Sequence, residues 1–298
     1  MTGKTPLITL NNGVKMPALG LGVFRSSPEQ TAGAVATAIA HGYRLIDTAA
    51  AYLNERQVGE GIVRSRIDRP ELFVTTKLWI SNYGYEPALR AFDASLRRLG
   101  LDYLDLYLLH WPVPSDFEAT VASYRAAETL LAEGRVRAIG VCNFNPKHLE
   151  ALIARTNAVP AVNQVELHPF FIQQEVRDAD ARHGIVTQSW SPIGGVNVYF
   201  SADPKAAKDP LKHPTVVTLA AKYGKTPAQV ILRWHFQHGL SAIPKSVRPE
   251  RIAENIGLFD FTLTPDEIQA IDALETGARG GPDPEVFNAS TSRVKVEA

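Results

Sequence analysis

The sequence predicts a (β/α)8 barrel of parallel strands, and three observations predict it. Strand-like and helix-like patterns alternate along almost the whole chain. Several strand runs are apolar nearly without a break, as in LFVTTKL (72–78) and LDLYLLHW (104–111), which is what parallel strands covered on both faces look like. Polar strand endings recur at an even step: Lys77 follows Asp47 by 30 residues, His110 follows Lys77 by 33 and Asn143 follows His110 by 33.

Residues 7–20 (LITLNNGVKMPALG) read as a short hairpin turning at Asn12-Gly13, a dipeptide that accepts the backbone of a tight turn. Strand candidates follow at GLGVF (20–24), YRLIDT (43–48), 72–78, 104–111, VRAIGVCNF (136–144), AVNQVELH (161–168), IVTQSWS (185–191) and LSAIPKS (240–246). Helices fill the gaps. SPEQTAGAVATAIAHG opens on Ser27 and Pro28 and ends on glycine, a start and stop pair. EPALRAFDASLRRLG ends on basic residues and glycine, which suits the negative end of a helix. TPAQVILRWHFQHG has Thr226 as cap, Pro227 at its first position and Gly239 beyond its end.

A long connection, 191–240, separates the seventh and eighth strands and contains an apolar, glycine-hinged stretch (IGGVNVYFSADPKAAKDPLKHP). Connections of that length are commonly lids or binding elements. With no linker or shift in composition, 1–298 is expected to form one barrel domain, with its active site at the C-terminal ends of the strands.

The balance of 31 basic and 31 acidic residues argues against general nucleic-acid or membrane-surface binding, which need a basic excess. A single cysteine, Cys142, excludes an intramolecular disulfide and a thiolate metal cluster. The start of the chain lacks the apolar core of a signal peptide and no run approaches ~18 apolar residues. A reduced, cytoplasmic, monomeric protein is expected, with no metal.

The strand ends carry Asp47, Lys77, His110, Asn143, Glu166, Trp190 and Lys245, with Tyr52 just beyond one of them. Charge at the end of an apolar run is costly unless the ends meet in a polar cavity. Singly, Asp47 reads as a loop cap, Tyr52 as a helix-edge anchor and Lys77 as a solvated strand end. Together they form a proton-delivery device. A lysine cation lowers the pKa of a neighbouring phenol, and a carboxylate keeps that lysine charged. A neutral His110 would then polarise a carbonyl oxygen. With no serine or cysteine nucleophile and no metal-ligand spacing, the hydride for a carbonyl must come from a cofactor.

Near the C-terminus, IPKSVRPERIAENI (243–256) sets Lys245, Arg248 and Arg251 around Ser246 at a helix start. This is either a solvated basic turn or a phosphate site, and no G-x-G-x-x-G loop accompanies it.

On these motifs the chain resembles the aldo-keto reductases, from residue 7 to about residue 288. GYRLIDTAAAYLNERQVGEGI, TTKLW and YLLHWP match the segments that carry the family's four catalytic residues. GVCNF, AVNQVELHP, SWSPIG and IPKSVRPERIAEN match its cofactor segments in order. The resemblance implies Asp47, Tyr52, Lys77 and His110 as the tetrad, with Tyr52 as proton donor. It implies Asn143 and Gln164 on the carboxamide of NADPH, Trp190 stacked on the nicotinamide, and Ser191, with a loop hinged at Gly194, over the pyrophosphate. Lys245, Ser246, Val247, Arg248 and Arg251 would hold the 2′-phosphate, with Glu254 and Asn255 on the adenine. Phe24, Ala51, Trp79 and Trp111 would wall the pocket for a small-molecule carbonyl substrate, with the tail 277–298 near it. Cys142 stands where the family usually has serine, and Trp190 where it usually has tyrosine. Trp190 and the short tail resemble the prokaryotic 2,5-diketo-gluconate reductases. Two rival readings are a barrel lyase that uses Lys77 as a Schiff-base amine and a non-catalytic NADPH-binding redox sensor.

Overall fold

A computed structural model describes residues 5–199, 208–292 and 294–297. Its centre is an eight-stranded parallel sheet in chain order: β3 (Leu21–Gly22), β4 (Leu45–Asp47), β5 (Phe73–Leu78), β6 (Leu104–Leu109), β7 (Val136–Cys142), β8 (Val162–Glu166), β9 (Val186–Trp190) and β10 (Ser241–Ala242). Parallel bridges Leu19↔Ala242 and Gly22↔Lys245 join the last strand to the first and close the sheet into a barrel. Every residue of β5 and β6 is buried, which accounts for their unbroken apolar character.

The first and last strands are shorter than the sequence predicts. Two residues of each form regular ladder, because the chains come together through glycine and proline. A Cβ on Gly20 would stand 2.5 Å from Leu45 Cγ, and one on Gly22 would stand 2.8 Å from the Ile243 carbonyl oxygen. Pro244 offers no N–H, so its carbonyl alone takes part, accepting from Gly22 N at 3.1 Å.

The hairpin forms as expected from β1 (Leu7–Thr9) and β2 (Lys15–Pro17). It plugs the N-terminal mouth of the barrel: Asn11 donates to the Pro160 carbonyl and Asn12 to that of Arg137, both at 2.9 Å. Leu10 and Met16 pack there on Leu45, Phe73, Leu106, Leu108 and Ile243 inside the barrel. Each such fully buried aliphatic side chain contributes about 1.5–3 kcal/mol. The hairpin therefore seals one end and leaves the other for chemistry.

Outside lie α1 (Pro28–Ala40), α2 (Glu55–Ser65), α3 (Tyr85–Leu99), α4 (Phe117–Ala132), α5 (Pro146–Ile153) and α6 (Gln174–Arg182). Then come α7 (Val196–Tyr199), α8 (Pro214–Tyr223), α9 (Pro227–Gln237), α10 (Pro249–Ile256) and α11 (Pro265–Asp272). Thr226 and Gln229 form a reciprocal capping box at α9. Ser27 begins α1 with an extended backbone but no cap bond from its side chain. Its carbonyl instead accepts from Thr31 Oγ1 at 2.7 Å.

The long 191–240 connection contains more helix than expected. Before α9 it holds α7, a 3-10 turn at Pro210–Lys212 and α8, whose Val216, Leu219 and Ala220 are buried. The middle of the expected lid, 200–207, lies outside the described residues. No helix among the described residues is long and apolar enough to cross a membrane.

Candidate active site

A cavity of about 700 Å³ opens at the C-terminal ends of the strands. Parallel registry explains what meets on its floor. Asp47 pairs with Thr75, so Lys77, two residues further along β5, shares the face of Asp47 one step higher. Lys77 pairs with Leu108, which places His110 on that face one step higher again. Lys77 is fully buried, and its Nζ donates to Asp47 Oδ1 at 2.6 Å, the Thr48 carbonyl at 2.9 Å and Tyr52 Oη at 3.2 Å.

Tyr52 comes from a 3-10 turn, Ala50–Tyr52, that ends on left-handed Leu53. Buried Asn54 ties this turn to the barrel, donating to the Val23 carbonyl at 3.0 Å and accepting from Thr48 Oγ1 at 3.0 Å. Asp47 Oδ2 accepts from Gln164 Nε2 at 2.8 Å across the barrel, and the same nitrogen reaches Gln188 Oε1 at 2.7 Å.

Charge on this floor is decided by burial against pairing. Burial alone would push Lys77 down, but the Asp47 charge, the Tyr52 phenol and the Asp47 hydrogen bond overcome it and hold the ammonium above its ordinary pKa. Burial raises Asp47, with Lys77 opposing. The sequence reading expected Lys77 to lower the Tyr52 phenol. The net direction is upward, because loss of solvent outweighs the pull of Lys77, and Asp47 adds to the rise. Tyr52 is therefore a firmly protonated phenol. Burial, followed by the Lys77 charge, drives His110 well below the ordinary histidine value, so the ring is neutral. Its Nδ1 is buried without a hydrogen-bond partner.

Above the floor stands an aromatic wall. Trp79 meets His110 edge-on at 5.0 Å, Phe24 lies 5.0 Å from Tyr52, and Trp111 stacks on Phe287 at 4.1 Å and 25°. Ala51 completes this side of the cavity.

Beyond the wall, Asn143, Gln164, Trp190 and Ser191 border the cavity. Their polar groups engage one another as well as facing the open space. Asn143 takes a left-handed backbone (φ 65°), which asparagine tolerates. Its amide donates to the His110 carbonyl at 3.0 Å and to Cys142 Sγ at 3.2 Å, while its oxygen accepts from Trp190 Nε1 at 2.9 Å. The Cys142 sulfur thus acts as an acceptor here, and burial pushes its thiol up. Ser191 Oγ accepts from Val196 N at 2.8 Å, which folds the chain over Gly194 (φ 76°).

Lys245 borders the far end of the cavity beside Arg25. Burial and then the like charge of Arg25 lower its pKa. Ser246 Oγ accepts from Arg248 N at 3.1 Å, with Arg248 as N-cap of α10. Arg248 and Arg251 are exposed, Val247 packs on the core, and Glu254 and buried Asn255 follow within the helix. Those six residues lie outside the cavity lining.

Sequence reasoning did not single out Arg25 or Ile193, nor the individual tail residues Pro282, Phe287, Thr291, Ser292 and Val294 that line the cavity. Arg25 carried a usable signal, a cation directly after the first strand. The tail is irregular and carries no periodicity to assign it a face.

The Aldo/keto reductase family model matches residues 18–276. The chain belongs to the aldo/keto reductase family. As an aldo/keto reductase it is an oxidoreductase, and it is 59% identical to the morphine 6-dehydrogenase of Pseudomonas putida over 98% of both chains. It is 46% identical to the methylglyoxal reductase DkgA of Escherichia coli K12, covering 94% of this chain and 98% of the relative. Among solved structures, an aldo-keto reductase of Bombyx mori in complex with NADP matches with a TM-score of 0.88 at 36% identity, over 96% of this chain and 98% of the other. A mutant of Gox0644 in complex with NADPH matches with a TM-score of 0.87 at 42% identity, over 96% and 99%.

Proposed function

We propose that this aldo/keto reductase reduces aldehydes and ketones to alcohols with NADPH, and that Tyr52 delivers the proton. One observation carries the reading: Lys77, held by Asp47 and the Thr48 carbonyl, donates to Tyr52 Oη. Because that oxygen already accepts from Lys77, the phenol proton is left to point into the cavity. Raised by burial, the phenol keeps this proton until a developing alkoxide takes it. Lys77 then stabilises the phenolate that remains. Neutral His110 donates from Nε2 to the carbonyl oxygen and fixes it near Tyr52.

The residues present fit the cofactor. The cavity runs from Tyr52 past the Trp190 indole to Ile193 and Lys245, and cations gather at its far end. Asn143 and Gln164 would hold the carboxamide and Trp190 the ring face. Ser191 and the turn at Gly194 would hold the pyrophosphate. Lys245, Ser246, Val247, Arg248 and Arg251 would hold the 2′-phosphate, with Glu254 and Asn255 near the adenine. When bound, NADPH supplies the hydride for the carbonyl carbon.

Trp79, Trp111 and Phe287 favour flat, ring-bearing carbonyls over small dicarbonyls, in keeping with the name of the Pseudomonas relative. A Schiff-base role for Lys77 is disfavoured, since it needs a free amine and Asp47 keeps the ammonium charged.

Substituting Tyr52→Phe tests the proposal. Turnover should fall by about 10²–10⁴-fold, the range of general-acid catalysis, while NADPH binding, followed by fluorescence, stays close to wild type. Turnover comparable to wild type would remove Tyr52 from the proton-donor role.

A further inference from the structure

Glu166 ends β8 fully buried, and no step above uses it. Its carboxylate accepts from the backbone N–H of Gly280 at 2.7 Å and of Gly281 at 2.8 Å, one on each oxygen. His168 Nδ1 accepts from Phe170 N at 3.3 Å, which places the ring proton on Nε2, 3.2 Å from Glu166 Oε1. A strand-end carboxylate is thus spent on main chain more than a hundred residues away.

The segment it holds rests on the aromatic plate of the cavity. A Cβ on Gly281 would stand 2.6 Å from Trp190 Cη2 and 2.9 Å from Glu166 Oε2, and one on Gly280 would stand 2.4 Å from Asn197 Oδ1. Only bare backbone fits there. Pro282 follows and lines the cavity, as do Phe287, Thr291, Ser292 and Val294. The far end of this tail has its own anchor: Trp79 Nε1 donates to the Val294 carbonyl at 2.9 Å, and Ser81 Oγ accepts from Val296 N at 3.3 Å.

We propose that Glu166 is a positioning residue that fastens the near end of the tail against Trp190, so that tail wall and aromatic plate are set as one unit and large carbonyls find a formed pocket. This rests on the carbonyl-reductase reading above. It assigns Glu166 to substrate fit rather than to proton transfer.

Glu166→Gln, Glu166→Ala and Gly281→Ala test it, the last from the tail side with the carboxylate intact. Each is assayed with NADPH on a ring-bearing ketone and on a small dicarbonyl, and each is probed by trypsin at the Arg279–Gly280 bond. A carboxylate bonded to two amides leads us to expect the ketone KM to rise about tenfold in Glu166→Ala, with kcat within about threefold. The small dicarbonyl should be nearly unaffected. Glu166→Gln, which keeps an acceptor, should fall between wild type and Glu166→Ala. Trypsin should cut after Arg279 faster in all three variants. Unchanged protection at Arg279 in all three would overturn the proposal, and so would equal losses on both substrates. If the wild type reduces no carbonyl, the functional reading fails by itself, and the trypsin comparison still decides whether Glu166 holds the tail.

Discussion

On the cavity floor Asp47, Lys77 and Gln164 are at most 1% exposed, and their polar groups bond from one strand to another. Along the wall, Trp79, Trp111 and Phe287 touch ring to ring, and Phe287 belongs to a tail whose described residues form neither helix nor strand. The two regions answer different physical demands. A buried ion pair is tolerated only where its geometry is held closely and its remaining bonds are made, so the charged groups stand on adjacent barrel strands or on a turn bolted to them. Apolar contact is non-directional and accepts changes of shape, so the wall can be supplied by an irregular segment anchored at its ends. In the proposed function, proton handling rests on the barrel, and substrate fit on a wall that the tail completes.

The most forceful way to break this contrast is to remove the cation from the floor. Lys77→Met leaves Asp47 as a buried carboxylate without its partner, which should cost about 3–5 kcal/mol of stability in urea unfolding. Under the proposed mechanism turnover should fall at least about a hundredfold, because Tyr52, the proposed proton donor, would lose the group that stabilises its phenolate. Wild-type stability in that variant would show that the ion pair does not hold the floor together.

A smaller effect is expected on the wall. Phe287→Ala removes the ring stacked on Trp111 and should raise KM for a ring-bearing ketone about tenfold, in line with a stacked aromatic contact plus its buried area. Its kcat should stay within a few-fold. A matching fall in kcat would mean that the tail also shapes the chemistry, and the contrast would need redrawing.

The smallest expected effect separates the regions by pH. The folded pKa of His110 lies well below the ordinary value of 6.5, so the unfolded chain binds the additional proton first as pH falls. Unfolding free energy then rises with pH in that window. The His110 contribution is fully present above pH 6.5 and is lost progressively below it. Thermal unfolding of His110→Gln should show a shallower decline below pH 6.5 than wild type, while Phe287→Ala keeps the wild-type slope. Identical slopes in wild type and His110→Gln would argue against a buried neutral ring.

Legibility in the sequence follows the same division. Lys77 and His110 stood out because a charged or titratable group ended an apolar run, and the even step between them pointed to a shared rim. Tyr52 was legible only as a titratable residue just beyond a strand end, not as one aimed at Lys77, since the turn that presents it is set by Asn54 reaching back to Val23. The direction of its pKa was misjudged from sequence, because burial at the barrel mouth is a sum over neighbours from many elements. Helix α8 escaped notice because the apolar stretch before it drew the reading toward a lid.

By itself the sequence determined the barrel, through strand runs apolar on both faces, and the residues at its open end, because periodicity and charge are local properties of a chain. Only the tertiary structure decided that the tail folds back over Trp190, that Glu166 is occupied with Gly280 and Gly281, and that solvent loss outweighs Lys77 at Tyr52. Those outcomes depend on atoms brought together from positions up to 215 residues apart, where no local pattern specifies the contact and the balance of packing and desolvation does.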